Sequence, residues 1–308
     1  MKLDLSVSPH IKTKSSSKKI MFTVIFALLF PSVAGIYYFG MSALWILITC
    51  IVCAQFTETV VLRMQKKDTK ITGGAIITGL ILGLIVPPNV PLWLCAIGSS
   101  FGIIIGKMVF GGSGSNIFNP ALVGRAFMGA GWPALMSVFT DVQDVGAPLW
   151  KDIADATTTA TPLVSKAGVD SATLFLGSHG GCIGETSILF ILFGGLVLLI
   201  KRHIDWRIPA CMIGAVFVLS AVSGTDPMYQ ILAGGLMFGA FFIATDYVTS
   251  PMTKRGRIVY AVVIGCLVFL MRNYGTMAEG VAYSILFMNA MVPLIDRFTQ
   301  NRIFGDKV

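Results

Sequence analysis

The sequence predicts an all-α integral membrane protein with about ten transmembrane helices. Of its 308 residues, 55% are hydrophobic and only 12% are charged, whereas about 25% of the residues in a soluble domain are charged. The mean hydropathy is +0.80. Apolar windows recur along the whole chain, and basic residues concentrate in every second connection between them. These observations indicate one polytopic membrane domain over residues 1–308.

The apolar windows set the number of predicted helices. A helix needs about 20 residues to cross roughly 30 Å of hydrocarbon, and shorter helices pack inside a bundle. The first window lacks a small-residue cleavage pattern, so we expect a retained helix rather than a removed signal peptide. The ten windows fall near residues 20–39, 43–63, 72–87, 91–109, 118–138, 186–200, 207–223, 227–245, 257–272 and 277–295.

The distribution of basic residues predicts the orientation. Of the 23 lysines and arginines, 19 lie in the N-terminal segment and in every second loop, Lys107 among them. The alternate loops hold Lys151, Lys166 and Arg272, and Arg125 lies inside the fifth window. Because cytoplasmic loops carry the excess of basic residues, we expect both termini in the cytoplasm and the polar segment 139–185, between helices 5 and 6, outside.

The net charge of +8 does not by itself indicate a nucleic-acid partner. The basic residues stand in short clusters between apolar segments, where they set the topology or meet anionic lipid headgroups. We therefore expect contact with membrane lipid and no nucleic acid.

Three small-xxx-small faces predict close helix packing: Gly79 with Gly83, Gly102 with Gly106, and Gly235 with Gly239. The first and third faces lie 156 residues apart, in predicted helices that are five positions apart in the chain. Such spacing is typical of two inverted five-helix repeats, which usually frame a site near the middle of the membrane. Gly- and Pro-rich interruptions, "GLIVPPNVP" and "GGSGSNIFNPA", favour the same interpretation.

Polar residues within this apolar chain are candidate site residues. Asn116 and Asn119 offer amide groups suited to an isoalloxazine edge or a phosphate, although Asn119 followed by Pro120 equally predicts a helix N-cap. Arg125 is an intramembrane cation that we expect to meet a flavin phosphate or a carboxylate. Glu58, Asp246 and Glu279 are candidate ion-pathway ligands. Snorkelling or capping explains Asp246 equally well, because it lies at a predicted cytoplasmic helix end.

The stretch "DATTTATPL", residues 155–163, is unusual in an apolar chain. A threonine hydroxyl is a poor nucleophile at neutral pH, so covalent attachment needs an exposed backbone that a modifying enzyme can grip. Pro162 pushes Thr161 towards an extended conformation. The alternative interpretation is an ordinary solvated loop.

This stretch resembles the flavinylation motif Dxx(S/T)xA(T/S), whose last hydroxyl receives FMN through a phosphodiester from FAD by the action of a flavin transferase. Asp155, Thr158 and Ala160 stand six, three and one residues before Thr161. The motif commonly has glycine where this chain has Thr159. The resemblance implies that Thr161 is the acceptor.

Two further stretches, "GGSGSNIFNPALVGRAFM" (111–128) and "GCIGETS" (181–187), resemble signatures of one membrane-subunit family. That family is shared by the Rnf ferredoxin:NAD oxidoreductase complex and the sodium-pumping NADH:quinone reductase, and the short N-terminal segment is closer to the Rnf D subunit. The resemblance gives a flavin-adjacent role to Gly184, Glu185 and Thr186. A helix-dipole role for Glu185 remains the alternative.

The resemblance implies an electron-transferring flavoprotein subunit in a prokaryotic cytoplasmic (inner) membrane. It implies covalent FMN, a candidate second noncovalent flavin (riboflavin or FMN), and coupling of electron flow to Na+ or H+ transport. The expected partners are other membrane and peripheral subunits, including an extracytoplasmic flavoprotein. Two alternatives stay open: a small-solute transporter or channel with inverted repeats and no flavin, and a scaffold subunit with a degenerate loop.

Overall fold

A computed structural model describes residues 16–67, 73–140, 158–159, 171–177, 179–275 and 280–300. The first part of the chain forms five helices, and the fourth continues into a π-helical turn at Ile104–Met108. A one-turn helix, α6 (Pro133–Met136), follows the fifth. The five helices are α1 (Ser17–Phe39), α2 (Met41–Met64), α3 (Gly73–Leu84), α4 (Leu92–Ile103) and α5 (Pro120–Gly131).

The second part of the chain begins with the short helix α7 (Ser171–Leu176) and has a second π-helical turn at Gly239–Ile243. The remaining helices are α8 (Ile188–Ile200), α9 (Arg207–Val222), α10 (Pro227–Leu232), α11 (Leu236–Phe238), α12 (Lys254–Tyr274) and α13 (Gly280–Thr299). Each predicted apolar window therefore contains helix.

Within the described ranges, four helices are long and apolar enough to cross a membrane: α1, α2, α12 and α13. Shorter apolar helices accompany them, so the chain is a multi-pass membrane protein with fewer full-length spans than the ten windows predict. Proline and glycine explain the shortening. The α3 helix ends at Leu84 before Pro87 and Pro88, and the eighth window breaks at Gly234 and Gly235 between α10 and α11.

The regular secondary structure of the described residues is helical, as the all-α prediction expects, apart from one two-residue ladder. Strand β1 (Phe139–Thr140) pairs antiparallel with strand β2 (Thr158–Thr159), with Phe139 opposite Thr159. Because β1 follows α6 closely, this ladder holds part of the threonine-rich stretch near the C-terminal end of α5.

The two parts of the chain pack in the same pattern. The α2 helix packs against α3 and α4, and α9 packs against α10 and α12 in the same way. The α4–α5 contact likewise has its counterpart in α12–α13. Between the two parts, α1 packs on α8 and α5 packs on α13.

Glycines make the closest helix contacts possible. A Cβ on Gly79 would lie 2.7 Å from the backbone oxygen of Cys50, and one on Gly106 would lie 2.8 Å from the Cα of Pro120. The first two predicted small-residue faces are therefore helix contacts. The third differs, because a Cβ on Gly235 would meet the carboxylate of Glu185 and one on Gly239 would meet the side chain of Val281.

Two basic residues that the sequence places in loops are not loop residues. Lys107 lies in the first π-helical turn and is only 4% exposed. Arg272 lies in the last turn of α12, where its side chain is partly buried. Both face protein partners, so neither contributes to the charge asymmetry of exposed loops.

We expect Gly79→Ala to lower the free energy of unfolding by about 1–3 kcal/mol, because the added methyl group overpacks the α2–α3 contact. Gly214→Ala is the matched control, since a Cβ there meets nothing within 4 Å. The measurement is the thermal midpoint of the detergent-purified protein. Equal midpoints for the two variants would contradict the packing.

Candidate functional site

A cavity of about 350 Å³ opens where the N-terminal ends of α1 and α3 meet the loop before α5. Its walls are mostly apolar, with a smaller number of polar groups among them. The apolar walls include Met21, Val24, Ile77, Ile81, Leu198 and Phe242. The polar lining includes Thr78, Lys107, Asn116, Asn119, Thr245 and Asp246. We call this space the large cavity.

The asparagines of the "NIFNPA" stretch lie at its edge, as the sequence suggested for a ligand site. Asn119 is the N-cap of α5: its Oδ1 accepts a hydrogen bond from the Ala121 N–H at 3.0 Å, and Pro120 occupies the first helical position. The Asn116 amide nitrogen donates to the Phe118 carbonyl at 3.1 Å. Asn119 therefore caps a helix and lines a cavity at once, so the ligand and N-cap interpretations are compatible.

A buried amide joins this loop to α12 and α13. Asn289, which is 1% exposed, has its side-chain amide 2.8 Å from the Tyr260 hydroxyl. With its nitrogen facing the carbonyls of Ile285 and Thr249, its oxygen accepts the Asn119 N–H at 3.2 Å. The second part of the chain thereby fixes the start of α5.

Glu58 and Lys107 form a buried ion pair beside the large cavity. The Lys107 Nζ lies 2.8 Å from Oε1 of Glu58, and the two side chains are 5% and 3% exposed. Lys107 lines the cavity, while Glu58 approaches its ammonium from α2. A carboxylate in a membrane helix needs such a partner, because an unpaired charge there costs several kcal/mol.

Asp246 also lines the large cavity and lies three residues after the second π-helical turn, Gly239–Ile243. Its carboxylate accepts a hydrogen bond from the Thr249 hydroxyl at 3.3 Å and from the Val248 N–H at 3.5 Å. Burial raises the pKa of this carboxyl above its ordinary value, and these hydrogen bonds and the charge of Lys107 partly offset that effect. These bonds lie within a turn and cap no helix, because the next helix begins only after Thr253, and the carboxylate lines the cavity.

A second charged group, which we call the arginine cluster, comprises Arg125, Glu185 and Arg272. The three line a narrow space of about 20 Å³ between α5, α12 and the segment before α8. Glu185 interacts electrostatically with both arginines. Arg125 was expected to meet a flavin phosphate or a carboxylate, and in the structure it faces a carboxylate.

Arg272 also binds the C-terminal end of α10, where the helix breaks. Its guanidinium donates to the carbonyl of Ala233 at 3.0 Å and to the carbonyl of Gln230, both at the C-terminal end of α10. The break leaves these carbonyls without helical partners. A cation near a helix C-terminus also interacts favourably with the helix dipole.

The "GCIGETS" segment is buried and non-helical, and α8 begins only at Ile188. The Gly184 N–H donates to the Leu84 carbonyl at 2.7 Å and the Ile183 N–H to the Val86 carbonyl at 3.2 Å. The Thr186 hydroxyl donates to the Ile183 carbonyl at 3.4 Å. The non-helical segment before α8 thus supplies hydrogen-bond donors to backbone carbonyls at and after the end of α3.

Most of the predicted flavinylation motif lies outside the described residues. Asp155, Ala160 and Thr161 are in this group, and only the backbone of Thr158 is described. Glu279 also lies outside. The roles assigned to these residues stay predictions.

Three residues of these sites were missed as site residues in the sequence. Lys107 and Arg272 were counted as loop charges, although each follows an apolar run, which is a signal for a membrane-embedded cation. Asn289 has the same signal, since it interrupts the apolar sequence of α13. No local pattern pairs any of the three with its distant partner.

Known proteins resemble the chain over almost its whole length. Residues 4–305 match the family described as NQR2, RnfD, RnfE. The chain is 43% identical to the D subunit of the proton-translocating ferredoxin:NAD(+) oxidoreductase complex of Clostridium ljungdahlii, covering 98% of this chain and 96% of that protein. It is 41% identical to the D subunit of the Na(+)-translocating ferredoxin:NAD(+) oxidoreductase complex of Acetobacterium woodii, with 99% and 96% covered.

A third relative is the D subunit of the ion-translocating oxidoreductase complex of Stutzerimonas stutzeri. This protein is 37% identical to the chain, with 95% of this chain and 93% of the relative covered. In all three comparisons, the similarity therefore extends over nearly the full length of this chain and of the relative.

We expect Arg272→Gln to lower the free energy of unfolding by about 3 kcal/mol, because it removes a buried partner of Glu185 and of two helix-end carbonyls. Arg255→Gln, at an exposed position of the same helix, should change it by less than about 0.5 kcal/mol. Denaturation of both variants in detergent tests the difference. A wild-type stability for Arg272→Gln would show that the cluster contributes nothing to the fold.

Proposed function

The chain belongs to the NQR2, RnfD, RnfE family, and we propose on this basis that it is an electron-transferring membrane subunit of an ion-translocating ferredoxin:NAD oxidoreductase complex. The names of its relatives support this role, since each is the D subunit of such a complex or of an ion-translocating oxidoreductase. The other subunits would house the iron-sulfur and NAD chemistry.

We propose that Thr161 carries FMN through a phosphodiester. The flavinylation frame of Asp155, Thr158 and Ala160 is the observation that carries this proposal. Pro162 supports it, because a proline disfavours the helical conformation of the residue before it and so favours an extended backbone that a modifying enzyme can grip. A flavin transferase would attach the FMN.

We propose the large cavity as the site of a second, noncovalent flavin. Its volume of about 350 Å³ falls within the range of roughly 300–1,000 Å³ typical of small-molecule sites. Apolar walls suit a flat ring system, and Asn116 and Asn119 supply amides for its polar edge. Capping uses one lone pair of Asn119, and an amide offers further donors and acceptors. A bound flavin would supply reversible electron storage within the bundle.

Ion transport would use carboxylates within or beside the helices. Glu58 and Asp246 are the described candidates, and Glu279 is a third in sequence. The relatives do not favour one ion, since one is named proton-translocating and another Na(+)-translocating. Both ions therefore remain candidates for this chain.

The proposed topology has both termini in the cytoplasm of a prokaryote and segment 139–185 outside, facing an extracytoplasmic flavoprotein subunit. It has ten membrane-inserted helices in two inverted repeats. Two contacts in the first part have counterparts in the second, and this match supports the repeat: α2–α4 corresponds to α9–α12, and α4–α5 corresponds to α12–α13. The basic loops support the orientation.

The full chain coexpressed with a flavin transferase should give a fluorescent band on a denaturing gel under ultraviolet light, and Thr161→Val should abolish that band. Thr159→Val, two residues away in the same stretch, should retain it. A folded but non-fluorescent wild type would favour the transporter or scaffold alternatives over covalent flavin.

In the Thr161→Val background, we expect denaturation to release noncovalent flavin from the protein. Ile77→Trp should reduce this flavin at least tenfold, because the indole fills a wall of the large cavity. Ile48→Trp, at an exposed position of α2, is the control. Chromatographic quantification of flavin per protein makes the comparison, and equal content in the two variants would rule out this cavity as the binding site.

A further inference from the structure

Lys107 stands between a buried carboxylate and the large cavity. Its Nζ is 2.8 Å from Oε1 of Glu58, and the residue also lines the cavity. A Cβ on Gly74, at the start of α3, would lie 3.1 Å from the same Nζ. Gly74, which also lines the cavity, therefore borders the ammonium on the cavity side.

The local backbone gives Lys107 a fixed position. It lies in the π-helical turn Ile104–Met108, and its carbonyl accepts the Gly112 N–H at 3.1 Å. Short π-helical turns inside α-helices are frequent at functional sites. The second such turn, Gly239–Ile243, is followed by Asp246, which also lines the cavity.

Few charged residues lie at or beside the cavity. Among the described residues that line it, Lys107 is the one lysine or arginine and Asp246 the one carboxylate. Glu58 contacts Lys107 from α2. Charges in such a low-dielectric environment interact strongly and are little screened by salt. Removing one member of the Glu58–Lys107 pair therefore changes the potential inside the cavity, and the sign depends on which member is lost.

We infer that the positive charge of Lys107 stabilises an anionic reduced flavin in the large cavity. Glu58 limits this stabilisation because its carboxylate pairs with the same ammonium. The inference rests on the proposed flavin in this cavity. Uptake of two electrons and one proton by a neutral isoalloxazine leaves one negative charge. In the complex the electrons would come from the FMN on Thr161, and the proton from water.

The test is a dithionite titration of the full chain in the Thr161→Val background, which leaves only the noncovalent flavin. Lys107→Met should lower the midpoint potential, and Glu58→Gln should raise it. Each should change the equilibrium between oxidised and reduced flavin at least tenfold, or about 30 mV for a two-electron couple. The double variant should return close to the parent, because it restores the charge balance.

Opposite shifts with compensation support the inference, and shifts of the same sign, or none, overturn it. If Lys107→Met does not fold, the Glu58→Gln variant and the double variant can be compared instead, because they differ only by the charge of Lys107. Equal midpoint potentials for these two variants also overturn the inference. Flavin content separates the two proposals. Absence of noncovalent flavin from the parent removes the cavity flavin and this inference with it, whereas bound flavin with unchanged potentials removes only the role of Lys107.

Discussion

A charge inside a lipid-embedded bundle must find its partner within the protein, and this requirement organises the structure. Lys107 reaches Glu58 across the α2–α4 contact, and Arg125 and Arg272 flank Glu185 where the two parts of the chain meet. Each pairing joins elements that are distant in sequence. Since leaving one member unpaired costs several kcal/mol, the pairs favour the relative placement of these helices over alternatives that separate the charges.

The same requirement applies to the backbone wherever a helix breaks. Irregular backbone at membrane depth is tolerated only where the protein itself satisfies its polar groups. Here the N–H groups of Ile183 and Gly184 bond to the carbonyls of Val86 and Leu84, and Arg272 takes up the free carbonyls at the end of α10. These breaks border the narrow space that the arginine cluster lines.

Sequence reasoning was accurate where the signal is local. The resemblance carried by three short motifs is confirmed by the family match over residues 4–305, and every apolar window contains helix. Asn119 was correctly expected as an N-cap. The interruption at Pro87 was predicted from its prolines, whereas the length of the eighth helix was overestimated because hydropathy does not register the break at Gly235. Lys107 was placed in a loop because its partner, Glu58, lies 49 residues away, and no local pattern indicates such a pairing.

The α5 helix joins the large cavity to the β1–β2 ladder. It begins at Asn119 and Pro120, on the wall of the large cavity, and its far end leads through α6 to β1. Its 12 residues span about 18 Å at 1.5 Å per residue. Because α5 packs on both α4 and α13, the bundle fixes the position of its two ends. Arg125 lies between these ends, within the arginine cluster. Its charge is held by Glu185 in the protein interior, so the electrostatic environment between the two ends of the helix is set by the fold and not by solvent.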